Sequence, residues 1–120
     1  MTDRDIIYDE VEEERERQDE AWGEQNHPSV GSVMEAEDCP AEWAAKMYEL
    51  PTARRAQYLC DRAADKDQMT WAHIAVEEMA ESIEAAAEGR MDDCKTELIQ
   101  TVAVCVAWIE SIERTKENTE

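Results

Sequence analysis

Thr96-Glu97-Leu98-Ile99-Gln100-Thr101-Val102-Ala103-Val104-Cys105-Val106-Ala107-Trp108-Ile109 is the stretch whose reading decides the fold. At about 100° per residue its apolar side chains point in nearly every direction around a helix. Read alone, this helix should be central, buried on all sides for three turns, with Cys105 in the core. Glu97 and Gln100 stand one turn apart at its N-terminal end, about 60° apart in direction. A carboxylate entering such a helix needs a partner, because an unpaired buried charge costs several kcal/mol (roughly) or takes up a proton. A metal ion is one such partner.

A second acid pair lies upstream. Trp71-Ala72-His73-Ile74-Ala75-Val76-Glu77-Glu78-Met79-Ala80-Glu81-Ser82-Ile83-Glu84 places Glu78 and Glu81 at the same i, i+3 spacing. Two helices joined by a short turn would face each other with acids on both walls. Glu78-Met79-Ala80-Glu81 followed by Glu97-Leu98-Ile99-Gln100 resembles the signature of the MazG-like all-α nucleoside triphosphate pyrophosphohydrolases, E-x-x-E, a spacer, then E-x-x-D. The resemblance covers roughly residues 70–112 and departs from the pattern at Gln100, an amide in place of the last acid.

The resemblance implies a bundle of four to five helices completed by oligomerisation, as a homodimer or homotetramer. It also implies hydrolysis of a nucleoside triphosphate between its α- and β-phosphates. Glu78, Glu81, Glu97 and Gln100 would be the ligands of Mg²⁺, with Mn²⁺ as a substitute, since carboxylate oxygens are hard donors. Glu77 or Glu84 would accept a proton from the attacking water, and Lys95, Arg15 or Arg54 would clamp the departing pyrophosphate. An amide oxygen at Gln100 can coordinate Mg²⁺ but carries no charge and cannot act as a base. Two other readings compete: a protein of the phage-borne kind that binds or sequesters a nucleotide without cleaving it, and an acidic helical module whose partner is a basic protein.

The 120 residues make one domain, 1–120, and the absence of Phe with only three Gly and three Pro favours helix over sheet. Thirty-one acids against 12 Lys and Arg give a formal charge of −19. Such a field repels phosphate backbones and anionic lipid, so neither nucleic acid nor a membrane surface is an expected partner. Solubility or adaptation to salt is the plainer explanation of most surface acids. The N-terminus has no signal-peptide core and no apolar run is long enough to span a bilayer, which points to the cytoplasm. Cys39, Cys60, Cys94 and Cys105 show no C-x-x-C or Cys/His ligand spacing and read as reduced structural thiols.

The first segment reads as a helix from Thr2 or Asp3 to Trp22 with a narrow apolar stripe of Ile7, Val11, Ala21 and Trp22. Glu14 and Gln18 fall on that stripe and Arg15 at its edge. Either Gln18 is a boundary residue, with Glu14 turned to water or a basic neighbour, or this face closes over a nucleotide. In that case Gln18 would hydrogen-bond the ligand, Arg15 would reach a phosphate, and Glu14 would sit near the metal or hold Arg15.

Gly23–Cys39 has no helical period and is long for a loop in a compact domain. Trp22, Gln25, Asn26 and His27 cluster at its entrance, where an indole can stack on a base and an amide or imidazole can read its edges. An ordinary Trp staple before an Asn26-His27-Pro28 turn explains them equally well.

Pro40 suits the first position of a short helix ending near Leu50, and Thr52 caps another from Ala53 to about Lys66. Thr70 caps the acid-bearing helix, which ends at Gly89, a favourable residue past a helix end. On it Ala75, Val76, Met79, Ala80, Ile83, Ala86 and Ala87 form the main apolar arc. Glu77, Glu81, Glu84 and Glu88 lie opposite, the pattern of a solvated face. A second stripe, Trp71, Ile74, Glu78, Glu81 and Ala85, instead fits a helix packed on two sides with the acids between. His73 reads as a boundary residue rather than a zinc ligand. Residues 113–120 are polar and should fray.

Overall fold

The computed structural model describes residues 1–31 and 39–119, and the expectation of an all-α chain is met. Five helices and no strand occur among the described residues. They group into two compact units, Met1–Pro28 with the end of the chain from Cys105 on, and Ser29–Val104. Ser32–Asp38, most of the second half of the long predicted loop, lie outside the described residues.

In the first unit, helix α1 (Asp3–Trp22) begins with a capping box in which the Thr2 hydroxyl accepts from the Asp5 amide and the Asp5 carboxylate accepts from the Thr2 amide. It ends at Gly23, whose φ of 67° suits a residue without Cβ. Ile7 is its one buried residue. The helix leans instead on pairs along its own surface: Arg17 with Glu14 at 2.6 Å and Arg15 with Asp19 at 2.9 Å. Arg4 reaches Glu110 at 3.4 Å on the last helix.

The second unit is built on α4 (Trp71–Ala87), against which α2 (Pro40–Tyr48) and α3 (Ala53–Asp65) pack. Pro40 opens α2, where its missing N–H costs nothing, and Glu49 closes it in the left-handed region. The Tyr48 ring meets Trp43 edge-on at 6.2 Å, and its hydroxyl accepts from the Gly31 amide. Thr52 caps α3 through the Arg55 amide. Thr70 caps α4 in a capping box whose second arm is His73: its Nδ1 accepts from the Thr70 amide. The boundary role expected of His73 is therefore a definite one.

Gly89, at φ 76°, turns the chain into α5 (Met91–Thr119), with Asp92 and Asp93 against its positive N-terminal end. Arg90 ties this turn by bonding both Glu88 and Asp93. The tail expected to fray is helical through Thr119; Thr115 back-bonds to the Ser111 carbonyl and Lys116 lies 3.7 Å from Glu113.

The central role expected of α5 belongs to α4. Ala80, Ser82, Ala85, Ala86 and Ala87 of α4 are buried, whereas Leu98, Ile99 and Val102 of α5 are 44%, 60% and 52% exposed. Cys105, read from sequence as core, is exposed. The reason is visible in the core of the second unit: it is made of alanines with Cys60 and Cys94, and among the described residues no fully buried side chain is larger than Ser82. Small residues let α2 and α3 approach α4 closely, and Leu98, Ile99 and Val102 of α5 stay outside that interior.

Candidate metal centre

Glu78 and Glu81 project from α4 one turn apart, and Glu97 projects from α5 beyond the Gly89 turn. One carboxylate oxygen of each lies within 4.8 Å of the others, and all three side chains are half-buried. The two walls of acid read from the sequence therefore do converge. Neither α4 nor the first turns of α5 offers a basic side chain three or four residues from these acids, so no ion pair within either helix neutralises them.

Three like charges leaving water together resist ionisation. Burial, then the charges of Glu97 and Glu77, raises the Glu78 carboxyl above its ordinary value. Burial, then a hydrogen bond with Glu97 and the charges of Glu78, Glu97 and Glu77, pushes Glu81 up to about 7. The Glu81 side chain is hydrogen-bonded to Glu97 across the helix gap. Even so, Oε2 of Glu78 and Oε2 of Glu97 are buried with no hydrogen-bond partner. A buried carboxylate oxygen without a donor is costly, and a divalent cation is the ligand that would satisfy both at once. The donor set is all hard oxygen, the kind that Mg²⁺ and Mn²⁺ prefer.

Comparison with family models, curated proteins and solved structures finds no match to this chain.

The remaining residues singled out from sequence fall as follows. Gln100 is exposed. Glu84 accepts a short hydrogen bond from the amide of Ala53, the first residue of α3. It is a tertiary cap, complementary to Thr52, which takes a different amide of the same helix end. Glu77 is half-buried beside Cys60, whose thiol is pushed up to about 12 by burial and then by its hydrogen bond to Glu77. Arg54 and Lys95 are exposed on the second unit, while the neighbouring Arg55 lies over the Tyr58 ring.

Arg15, Gln18, Trp22, Asn26 and His27 belong to the first unit. Arg15 bonds Gln18 and Asp19, and Glu14 holds Arg17 rather than Arg15. Asn26 donates to Glu24, Trp22 is 65% exposed, and His27 is exposed. Arg15 and His27 line an open depression with Asp19, Gly23, Glu24 and Gln25.

Sequence reasoning missed two residues of the second unit. Ser82 and Thr101 meet between α4 and α5, each four residues after an acid of the cluster. Their signal was the spacing itself, Glu78-x-x-x-Ser82 and Glu97-x-x-x-Thr101.

Proposed function

We propose that this chain is a divalent-cation-dependent nucleoside triphosphate pyrophosphohydrolase. The observation that carries the reading is the convergence of Glu78, Glu81 and Glu97 with two buried carboxylate oxygens left without partners. These three residues would hold Mg²⁺ or Mn²⁺, which when bound offsets phosphate charge and acidifies a water. The E-x-x-E and E-x-x-Q spacing is what directs the reading to triphosphates.

The chain's own groups divide the remaining work. Glu77, close to the cluster and not engaged as a helix cap, is better suited than Glu84 to accept the proton of an attacking water. Arg54 and Lys95, exposed on the same unit, suit the phosphate tail. Gln100 contributes no charge, which lowers the site's attraction for a cation relative to a fourth acid.

The same reading includes a second copy of the chain. Leu98, Ile99 and Val102 form an exposed apolar face on α5 in a protein of net charge −19. An uncharged face is where two such acidic chains can meet without repulsion. Light scattering that returns the mass of a monomer overturns this part.

The decisive assay incubates wild type and Glu81→Gln with ordinary and modified nucleoside triphosphates, with Mg²⁺ or Mn²⁺, and detects pyrophosphate. Turnover in wild type and its loss by about 100-fold or more in the variant, with the helical circular dichroism unchanged, is the expected result. Nucleotide binding without pyrophosphate release replaces the hydrolase with a sequestering protein. A wild type that neither binds nor cleaves any of them ends the nucleotide reading.

A further inference from the structure

Ser82 is 2% and Thr101 6% exposed, the two polar residues fully shut away from water among the described residues. The Ser82 hydroxyl donates to the backbone carbonyl of Glu78 at 2.9 Å, and that of Thr101 donates to the carbonyl of Glu97 at 2.8 Å. The two oxygens are 3.3 Å apart across the helix gap. Back-bonding to the carbonyl four residues earlier is a habit of hydroxyls in helices and requires no partner. What is not habitual is that both do so on the residues whose carboxylates form the cluster and then face each other.

We propose that Ser82 and Thr101 act as an interhelical clasp, positioning residues that set the separation of Glu78 on α4 from Glu97 on α5 and with it the affinity of the site for a divalent cation. The proposal rests on the cation reading above and adds the residues that tune it.

The physical case has three parts. Two hydroxyl protons serve three contacts, so one hydroxyl can turn to its partner while the other keeps its carbonyl, and neither oxygen is left in an apolar gap without polar company. Sliding α5 by one turn, about 5.4 Å, would bring either Glu97 or the Val104-Cys105 turn against the buried Ser82 hydroxyl in place of Thr101, so the contact favours one register. The clasp also opposes a real force, because before a cation arrives the like charges of Glu78 and Glu97 push α4 and α5 apart. The apolar cluster in that hairpin is small, Ala85, Ala86 and Cys94 with Val30 packed against them.

Thr101→Val keeps the shape and removes the hydroxyl, and Thr101→Ser restores it. Mn²⁺ affinity, measured by calorimetry on the full chain, should fall about tenfold or more in Thr101→Val and return to within about threefold of wild type in Thr101→Ser. In the metal-free proteins, nuclear Overhauser contacts between α4 and α5 around Glu78 and Glu97 should weaken in the Val variant and persist in the Ser variant. A role in general stability alone would lower the melting temperature while leaving the affinity untouched.

The outcomes separate cleanly. Wild type that binds Mn²⁺, Glu81→Gln that does not, and Thr101→Val that binds as wild type does overturns the clasp and leaves the cation site standing. Wild type that takes up no Mn²⁺ removes the cation reading and the affinity claim together; the interhelical contacts then decide whether the clasp sets spacing, and unchanged contacts refute that as well. Should Thr101→Val fail to fold, Ser82→Ala, which trades the hydroxyl for a good helix former, is measured against the same expectations.

Discussion

Glu14 on α1 and Glu81 on α4 are the same residue in the same kind of helix, and their chemistry runs in opposite directions. Glu14 is exposed, and the hydrogen bond and charge of Arg17 three residues on hold its carboxyl below the usual range. Glu81 has only acids at its charged helical neighbours, Glu77, Glu78 and Glu84, and burial, a hydrogen bond with Glu97 and the charges of Glu78, Glu97 and Glu77 raise it to about 7. Acidity in the composition therefore says little by itself. What decides is whether a basic side chain stands at helical spacing and whether the carboxylate is turned toward another helix.

That contrast can be broken most forcefully by adding cation. If the α4–α5 acids are a metal site and the α1 acids are not, Mg²⁺ or Mn²⁺ at about 100 times its dissociation constant adds about 2.7 kcal/mol. For a chain of this size that is on the order of 10 °C in melting temperature. Glu81→Gln should abolish the rise and Glu14→Gln should leave it whole. A scanning-fluorimetry series in which both variants respond alike would erase the distinction.

Protons should sharpen it. In the metal-free protein Glu81 keeps its proton between the ordinary value of 4.5 and about 7, whereas the unfolded chain releases it. Stability from this group is therefore greatest below about 4.5 and is lost as pH rises to 7. Glu14 has the opposite sign: its contribution is present above the ordinary value and disappears as pH falls through its lowered one. Urea melts of wild type minus Glu81→Gln across pH 4 to 8 should slope downward, and a flat difference would contradict the buried cluster.

A smaller effect is expected at Glu84, which lies on the same acidic helix yet serves as a cap. Glu84→Gln should cost about 1 kcal/mol by weakening the contact with the Ala53 amide, with Mn²⁺ affinity within twofold of wild type by calorimetry. A large loss of cation binding there would enlarge the site to include Glu84. Least of all, Glu14→Gln should leave the melting temperature unchanged within error and insensitive to salt, because an exposed i, i+3 pair contributes little.

Much of the fold was legible because helix signals are local. Thr2, Thr52 and Thr70 announced three helix starts, Pro40 a fourth, and Gly89 one end; each acts through atoms a few residues away. The candidate site was legible in part, because the i, i+3 spacing of Glu78 and Glu81 and the lack of basic neighbours are properties of one helix. The burial of α5 was misread for the same reason. An all-round apolar helix states that cover is wanted, and it cannot state whether this chain supplies it.

By itself the sequence determined an all-helical chain, the helix starts and the acids available to face one another, since caps, periodicity and spacing operate over a single turn. Tertiary structure alone decided that α4 and not α5 is the packed centre of its unit, and that Glu84 is spent on capping α3. It also decided that Glu78, Glu81 and Glu97 meet with Ser82 and Thr101 locked beside them. Those outcomes depend on how closely alanine-rich surfaces approach and on which turn of one helix lies opposite which turn of another, and neither is encoded within any single segment.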